Sequence, residues 1–469
     1  MSLNDLLVDC CLRAVGEGAK FADARAVDVA ALSLTVQDGR AEKLSSHRSG
    51  GVGVRVLFDG TWGFASADTF AGEAIERARA AAMAAARAAA PACRDKALIA
   101  PVQPIQAESA MPARRPLDDW SVPRKIARLT ELERAGWAAA NGSALNSVLS
   151  YTEGRRTTHL ANSLGSRIVQ SLPHCRVGYT ITAAVGDVRQ QVHEHKAHLG
   201  GLELLTDLAA EQLSVKAAVR VLRQCRAPTA PPGVMPVVFH PSVTGLFAHE
   251  ALGHNAEADS YYAGQSILRG RFGKQIAAPA VTIVDDSTVP GAYGSYAFDD
   301  EGVASQRRTI VQNGTFNTLL HSLETAARFN VAPNGCGRAE DHTGQPIVRM
   351  SNTFVVADPA GPTVEDMVRS TDRGIYLAEG QEGYVYPERG QFVCRADSAR
   401  RIEHGQLGEW LRDVAVSGLV LETLMRIEMV GRDFEMADPG ICGKMGQGVP
   451  TDCGGPHMKI SEMVVGGAE

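Results

Sequence analysis

The sequence predicts an α+β fold: an N-terminal helix–sheet domain over residues 1–231, then a C-terminal, predominantly antiparallel β domain over residues 232–469. Three observations lead there. β-favouring runs are split again and again by Asp-Gly or Asn-Gly pairs, the short-range signal of antiparallel hairpins. Helical spacing of apolar residues is confined to a few separate stretches without strand–helix–strand alternation, which argues against a doubly wound parallel sheet. Finally, Arg226-Ala-Pro-Thr-Ala-Pro-Pro-Gly233 holds three prolines and a glycine that cannot continue a helix and favour an extended connection. The domain boundary is placed there.

Taken in order, Leu3, Leu6, Leu7, Cys10, Cys11 and Val15 lie close to helical spacing, so a helix opens the chain. LSLTVQDGRAEKL and GVGVRVLFDGTWGFASA follow as strands, each turning at an Asp-Gly pair. Residues 71–90 read as a long Ala-rich helix, and the Pro-punctuated stretch Pro101 to Pro123 as a surface wrap. A helix from Lys125 to Ala140 comes next, then strands around 148–197. An amphipathic helix over 202–222 is anchored by Leu205, Leu208, Leu213 and Val219. Past the linker, Val234 to Phe239 reads as a buried strand leading into a short helix. TIVQNGTFNTLL and ARRIEHGQLGEW read as hairpins, and a last helix spans Leu419 to Met429.

Composition narrows the function classes. Hydrophobic residues are 45% and charged ones 21%, as in a packed globular protein. A net charge of −6 leaves no basic footprint, so nucleic acid is not an expected partner. No apolar run reaches the roughly 18 residues of a membrane span. The first residues carry Asp5 and Asp9 and no positive n-region, unlike a signal peptide. Nine cysteines, an odd number spread over a long chain, suit reduced thiols and a cytoplasmic location.

The sharpest motif is His249-Glu250-Ala251-Leu252-Gly253-His254. Two imidazoles bind Zn²⁺, which activates a water, and an adjacent carboxylate takes that water's proton. Ser242 is the expected cap of the helix that carries them. Histidines five apart on an ideal helix diverge by about 140°. The pair therefore converges only if a π-bulge widens the turn or the helix ends before His254, and Gly253 permits either.

Other groupings are weaker. Cys453 and His457 form a C-x₃-H half-site. His193, His195 and His198 fit a solvated or cavity-lining strand, although His193 and His195 share a face and could chelate. Gly50-Gly51-Val52-Gly53 precedes a strand, so it lacks the helix N-terminus of a phosphate loop. No nucleophile elbow of a serine hydrolase is present.

Together the motifs resemble the TldD/PmbA family of metallopeptidases, in its metal-binding TldD-like branch. Beside HEALGH, the similar blocks are Phe298-Asp-Asp-Glu-Gly302, Gly335-Cys-Gly-Arg338, Arg349-Met-Ser-Asn-Thr-Phe354, Ile441-Cys442-Gly-Lys444-Met-Gly-Gln447 and Gly454-Gly-Pro-His457. Gly51-Val-Gly-Val-Arg55 and Ala161-Asn-Ser163 extend the likeness into the first half. The resemblance implies a third ligand, Cys442, completing a His249, His254 and Cys442 zinc set in the C-terminal domain with Glu250 as catalytic base. It implies hydrolysis of extended or unfolded peptides inside a homodimer, or a heterodimer with a related subunit lacking the metal motif. Asn255-Ala256 stand where an acidic segment would be expected, with Glu257 and Asp259 the nearest acids. Lys444 is placed to favour a Cys442 thiolate. The rivals are an amide hydrolase of a natural-product pathway and a regulatory protein whose metal is structural, its site closed by Cys453 or His457.

Overall fold

The computed structural model describes residues 1–467. Helix α1 (Leu3–Gly16) is closed at its start by a Ser2–Asp5 capping box and leads into β1 (Phe21–Gln37), β2 (Arg40–Phe58) and β3 (Thr61–Ala67). Asp38-Gly39 and Asp59-Gly60 join these strands with positive φ at both turn residues, the backbone that matches a twisted hairpin. Helix α2 (Gly72–Ala89) follows. The proline-rich stretch is not all surface wrap: β4 (Gln106–Ala110) pairs in parallel with a sheet strand. Then come α3 (Val122–Ala139), β5 (Ala144–Asn162), β6 (Arg167–Val185) and β7 (Val188–Leu199). The seven strands form one sheet, ordered β3-β2-β1-β5-β6, with β4 and β7 both paired to β6.

The expected helix over 202–222 is two: α4 (Glu203–Thr206) and α5 (Leu208–Arg226), separated by extended Asp207. Leu205 and Leu213 are buried as anchors, but Val219 is 52% exposed, and the side chain of Leu208 lies outside the described residues. Helices α1 and α2 pack on one end of the sheet around Leu7, Val54 and Ile75. The other end packs α3 and α5 around Leu129, Tyr179 and Val221.

From β8 (Gly233–Phe239) and α6 (Pro241–Ala248) onward, two more sheets enclose the largest core. In the six-stranded sheet, β8 lies between Arg373–Tyr386 and Met458–Gly467, and the hairpin Gln391–Glu403/Gln406–Leu419 extends it. The other contains Ile283–Asp286, Arg307–Gln312, Asn352–Val355 and Gln447–Gly455, with Gly440–Lys444 paired to the last. Pairing is antiparallel throughout except for β8 with Arg373–Tyr386 and Asn352–Val355 with Gln447–Gly455. The expected helix 419–429 is shorter, Val420–Met425. The chain then turns back as strand Ile427–Val430, whose ladder against Met458–Gly467 prevails over helical spacing.

Buried ion pairs weld the halves. Arg55 binds Asp23 on the neighbouring strand and Glu301 in the second half, and Arg25 and Arg156 both reach Asp300. A Cβ on Gly53 would run into the His342 carbonyl, so glycine is what lets the 341–344 loop lie on β2. All nine cysteines are free, and among the described residues no helix is long and apolar enough to cross a membrane.

Candidate metal centre

The route to the histidines begins at β8. Helix α6 is capped at its start by His240, not by Ser242: His240 Nδ1 accepts the Ser242 N–H at 3.2 Å. An imidazole acceptor thus takes the place usually held by a hydroxyl or carboxylate. Pro241 at the first helical position needs no acceptor for its missing N–H. All eight residues of α6 except Ser242 are buried. At its end the backbone widens into a π turn, His249–Gly253, in which the His254 N–H bonds the His249 carbonyl. A tight 3₁₀ turn, His254–Ala256, completes it. This widening brings the two rings together, with centroids 5.2 Å apart and planes nearly perpendicular. Gly253 has ordinary helical φ (−54°); glycine is needed because any Cβ would fall on the Met350 sulfur.

Cys442 arrives from a strand. Gly440–Lys444 and Gln447–Gly455 form a hairpin turned by Met445-Gly446, both at positive φ. Helix α6 sits directly on the second strand, because a Cβ at Gly245 would meet the backbone of Cys453 and Gly454. Arg349, wholly buried, clamps the hairpin by donating to the Cys442 and Gln447 carbonyls. The result is a cluster of His249, His254 and Cys442 whose donor atoms all lie within 4.8 Å of one another. Cys442 Sγ is 3.6 Å from His254 Nε2. A tetrahedral zinc with bonds of about 2.3 Å to sulfur and about 2.05 Å to nitrogen separates such ligands by about 3.6 Å, so this pair matches the spacing of that ion.

Electrostatics favour the same set. Burial works against ionisation of Cys442, but hydrogen bonds and charge from His249 and His254 outweigh it and lower the thiol to about 5. Lys444 does not supply that effect. Its ammonium donates to Asp259 at 2.7 and 2.8 Å, lies 3.2 Å from Glu257, and is used up there. Glu257 in turn accepts from His254 Nδ1 at 3.3 Å, which leaves Nε2 facing the thiol. Burial disfavours the Glu257 carboxylate, yet Lys444 and His254 hold it below the usual range.

Glu250 stands outside the donor cluster, on the wall of a cavity of about 440 Å³ that also exposes His249, His254 and Cys442. A Cβ at Gly383 would come within 2.9 Å of Glu250 Cγ, so glycine gives this carboxylate its space. Burial raises the Glu250 pKa, and the neighbouring histidines only partly oppose it. Cys453 also lines the cavity, but its Sγ lies against Asp438 and burial pushes the thiol well above its usual range. His457 bonds Asp433 at 2.6 Å and Tyr376 at 3.1 Å instead of joining the cluster. His193 and His195 stack on β7, while His193 pairs with Thr180 and His198 with the Gly201 carbonyl. His195 donates to the Pro439 carbonyl at 2.9 Å and lies 3.4 Å from Asp438, tying the first sheet to the segment before Cys442. Sequence reasoning missed Arg349, Gly245 and Gly383, since nothing in their local spacing signals a long-range contact.

Comparison with known proteins places the chain in a family. Profiles of the PmbA/TldA metallopeptidase match as domain 1 over residues 22–86, central domain over 115–224 and C-terminal domain over 232–467. A metalloprotease of Methanothermobacter thermautotrophicus is 34% identical over 466 residues, covering 99% of this chain and 98% of its own. The metalloprotease TldD homolog of Haemophilus influenzae is 29% identical, over 93% and 90%. The zinc metalloprotease TldD homolog of Saccharolobus solfataricus is 30% identical over 61% of this chain and 63% of its own. Among solved structures, a putative modulator of DNA gyrase from Thermotoga maritima superposes with a TM-score of 0.79 at 19% identity, covering 99% of this chain and all of that one. TldE from Thermococcus kodakarensis gives 0.77 at 18%, with the same coverage. These two share the fold. The profile matches and the full-length archaeal relative establish that the chain belongs to the PmbA/TldD family of metallopeptidases.

Proposed function

We propose that this chain is a zinc-dependent peptidase acting on extended or unfolded peptides, with His249, His254 and Cys442 as metal ligands and Glu250 as catalytic base. The observation that carries the reading is the convergence of two imidazoles and a thiol from segments 188 residues apart, with a half-buried carboxylate beside them on an open cavity. A zinc held there lowers the pKa of water and polarises a carbonyl. The protein's own part is orientation and proton transfer. Glu257 fixes the His254 tautomer, and Glu250, its pKa raised by burial, accepts the proton of the attacking water and passes it to the leaving amine. The zinc named in the Saccharolobus relative supports the choice of ion.

A structural metal is less favoured, because no fourth donor joins the cluster among the described residues and the cavity leaves one side open. The size of that cavity, within the roughly 300–1,000 Å³ of ligand sites, does not by itself separate a peptide from a small amide. Membership of a peptidase family supports the peptide. We place the protein in the cytoplasm as a homodimer or as a heterodimer with a related subunit lacking the metal motif. Exposed Val234, Tyr386, Leu419 and Val464 around one groove of the six-stranded sheet support association. Elemental analysis tests the centre: wild type should hold about one zinc per chain and His249→Ala little, whereas full retention in the variant would overturn the assignment.

A further inference from the structure

A second cavity, of about 250 Å³, abuts the hairpin that carries Cys442, between the first sheet and the second half of the chain. Ile441 belongs to the walls of both cavities. Val449 and Pro450, the cross-strand partners of Cys442 and Ile441, line the second. The first sheet contributes Leu172 and Leu199, and the facing loop contributes Tyr293, Tyr296 and Phe298. The charged residues of the wall are already engaged. Arg156 donates to Asp300 at 3.2 Å and to the Glu340 carbonyl, and Arg338 to the Met350 carbonyl at 2.6 Å. Asp299 accepts three backbone N–H groups. What the void offers a ligand is therefore aromatic and aliphatic surface, with Tyr293 Oη making no hydrogen bond to a described residue.

We propose that this cavity is a side-chain subsite of the peptidase, taking one bulky apolar, preferably aromatic, side chain of a peptide whose scissile bond lies at the His249–His254–Cys442 cluster. The proposal rests on the peptidase reading and names the substrate class it selects. The volume falls below the roughly 300–1,000 Å³ of sites for whole small molecules and suits a single side chain. Paired strands lie about 4.8 Å apart and an extended chain advances about 3.3 Å per residue, so a peptide crosses the hairpin within two residues. No unpaired cation or carboxylate of the wall calls for a charged side chain.

The test uses zinc-loaded Glu250→Gln protein and fluorescent Ala/Ser hexapeptides in which one Phe, Ala or Asp is moved through every position. Affinity is read by anisotropy. One position should prefer Phe over Ala by at least about tenfold, since even small apolar differences in a pocket reach that range. Leu172→Trp, and independently Val29→Trp two strands away on the same sheet, should fill the cavity. Each should bring the Phe peptide to the affinity of the Ala peptide, whose own binding stays unchanged. Equal affinity at all positions, or a Phe preference that survives both Trp variants, would overturn the subsite even if wild type cleaves peptides normally. A position-specific Phe preference with no cleavage by wild type would support the subsite while striking the peptidase reading alone.

Discussion

At the scale of single residues, the centre depends on two groups that differ in what they touch. Glu250 is outside the donor cluster, so Glu250→Gln should keep zinc while hydrolysis falls by about 10²–10⁴, the usual contribution of a base. Matched zinc and peptide-cleavage assays check this, and near wild-type cleavage would contradict it. Cys442 and Cys453 both line the cavity but have opposite acidities, about 5 for the first and well above normal for the second. A lowered pKa keeps the thiolate populated as pH falls to about 5, so in chelated protein at pH 6 iodoacetamide should label Cys442 and spare Cys453. Cys442→Ser should lose zinc and Cys453→Ser keep it. Labelling of Cys453 first would reassign the third ligand. The convergence of His249 and His254 was legible because both lie within six consecutive residues, whereas Cys442 was reached only through resemblance. Arg349 acts on carbonyls brought near by the fold, and its role is invisible to local spacing, whereas Glu257 meets His254 from three residues on and was among the nearest acids the sequence offered.

At the scale of elements, the site is built where α6 rests on the Gln447–Gly455 strand with glycine on both sides of the contact. Gly245→Ala would force a methyl group against the Cys453–Gly454 backbone, which cannot move aside as a side chain could. It should cost about 1–3 kcal/mol, as overpacking does, and weaken zinc retention because it shifts the histidines relative to Cys442. Gly440→Ala, whose Cβ meets nothing within 4 Å, is the control. Thermal melts with zinc titrations check the pair, and equal behaviour would show the contact to be slack. Hairpins closed by Asp-Gly or Asn-Gly could be read from sequence because those residues tolerate positive φ at small cost. Met445-Gly446 turns the same way without that signature, and so the hairpin carrying Cys442 gave no local signal. The 419–429 helix was misplaced because local propensity pointed one way and strand pairing another, and the Ser242 cap because the imidazole of His240, two residues earlier, takes that place.

At the scale of the whole molecule, the α+β class followed from patterning alone, while the joint between the halves did not. The exposed apolar groove leads to one expectation: Val464→Arg with Val234→Arg should shift light-scattering mass toward the monomer if that face associates, and an unchanged mass would contradict it. The joint leads to the other. Arg55 is buried between Asp23 on β1 and Glu301 in the Phe298–Gly302 block, and all three side chains are almost entirely removed from water. Burial disfavours the Arg55 cation, but the two carboxylates more than restore it. Glu301 also accepts the Leu323 N–H at 2.6 Å, so it cannot swing out to solvent without breaking a second bond. Arg55→Met removes the one cation between the two acids and should cost about 3–5 kcal/mol, the range for stranding a buried charge. Adding Glu301→Gln removes one of the stranded charges and should recover part of that loss, a coupling expected of residues in contact. Because the trio spans both halves, the Arg55→Met midpoint in urea should fall for a probe in either half. A loss below about 1 kcal/mol, the range of exposed pairs, would mean that water reaches the trio and that the halves are joined by other contacts.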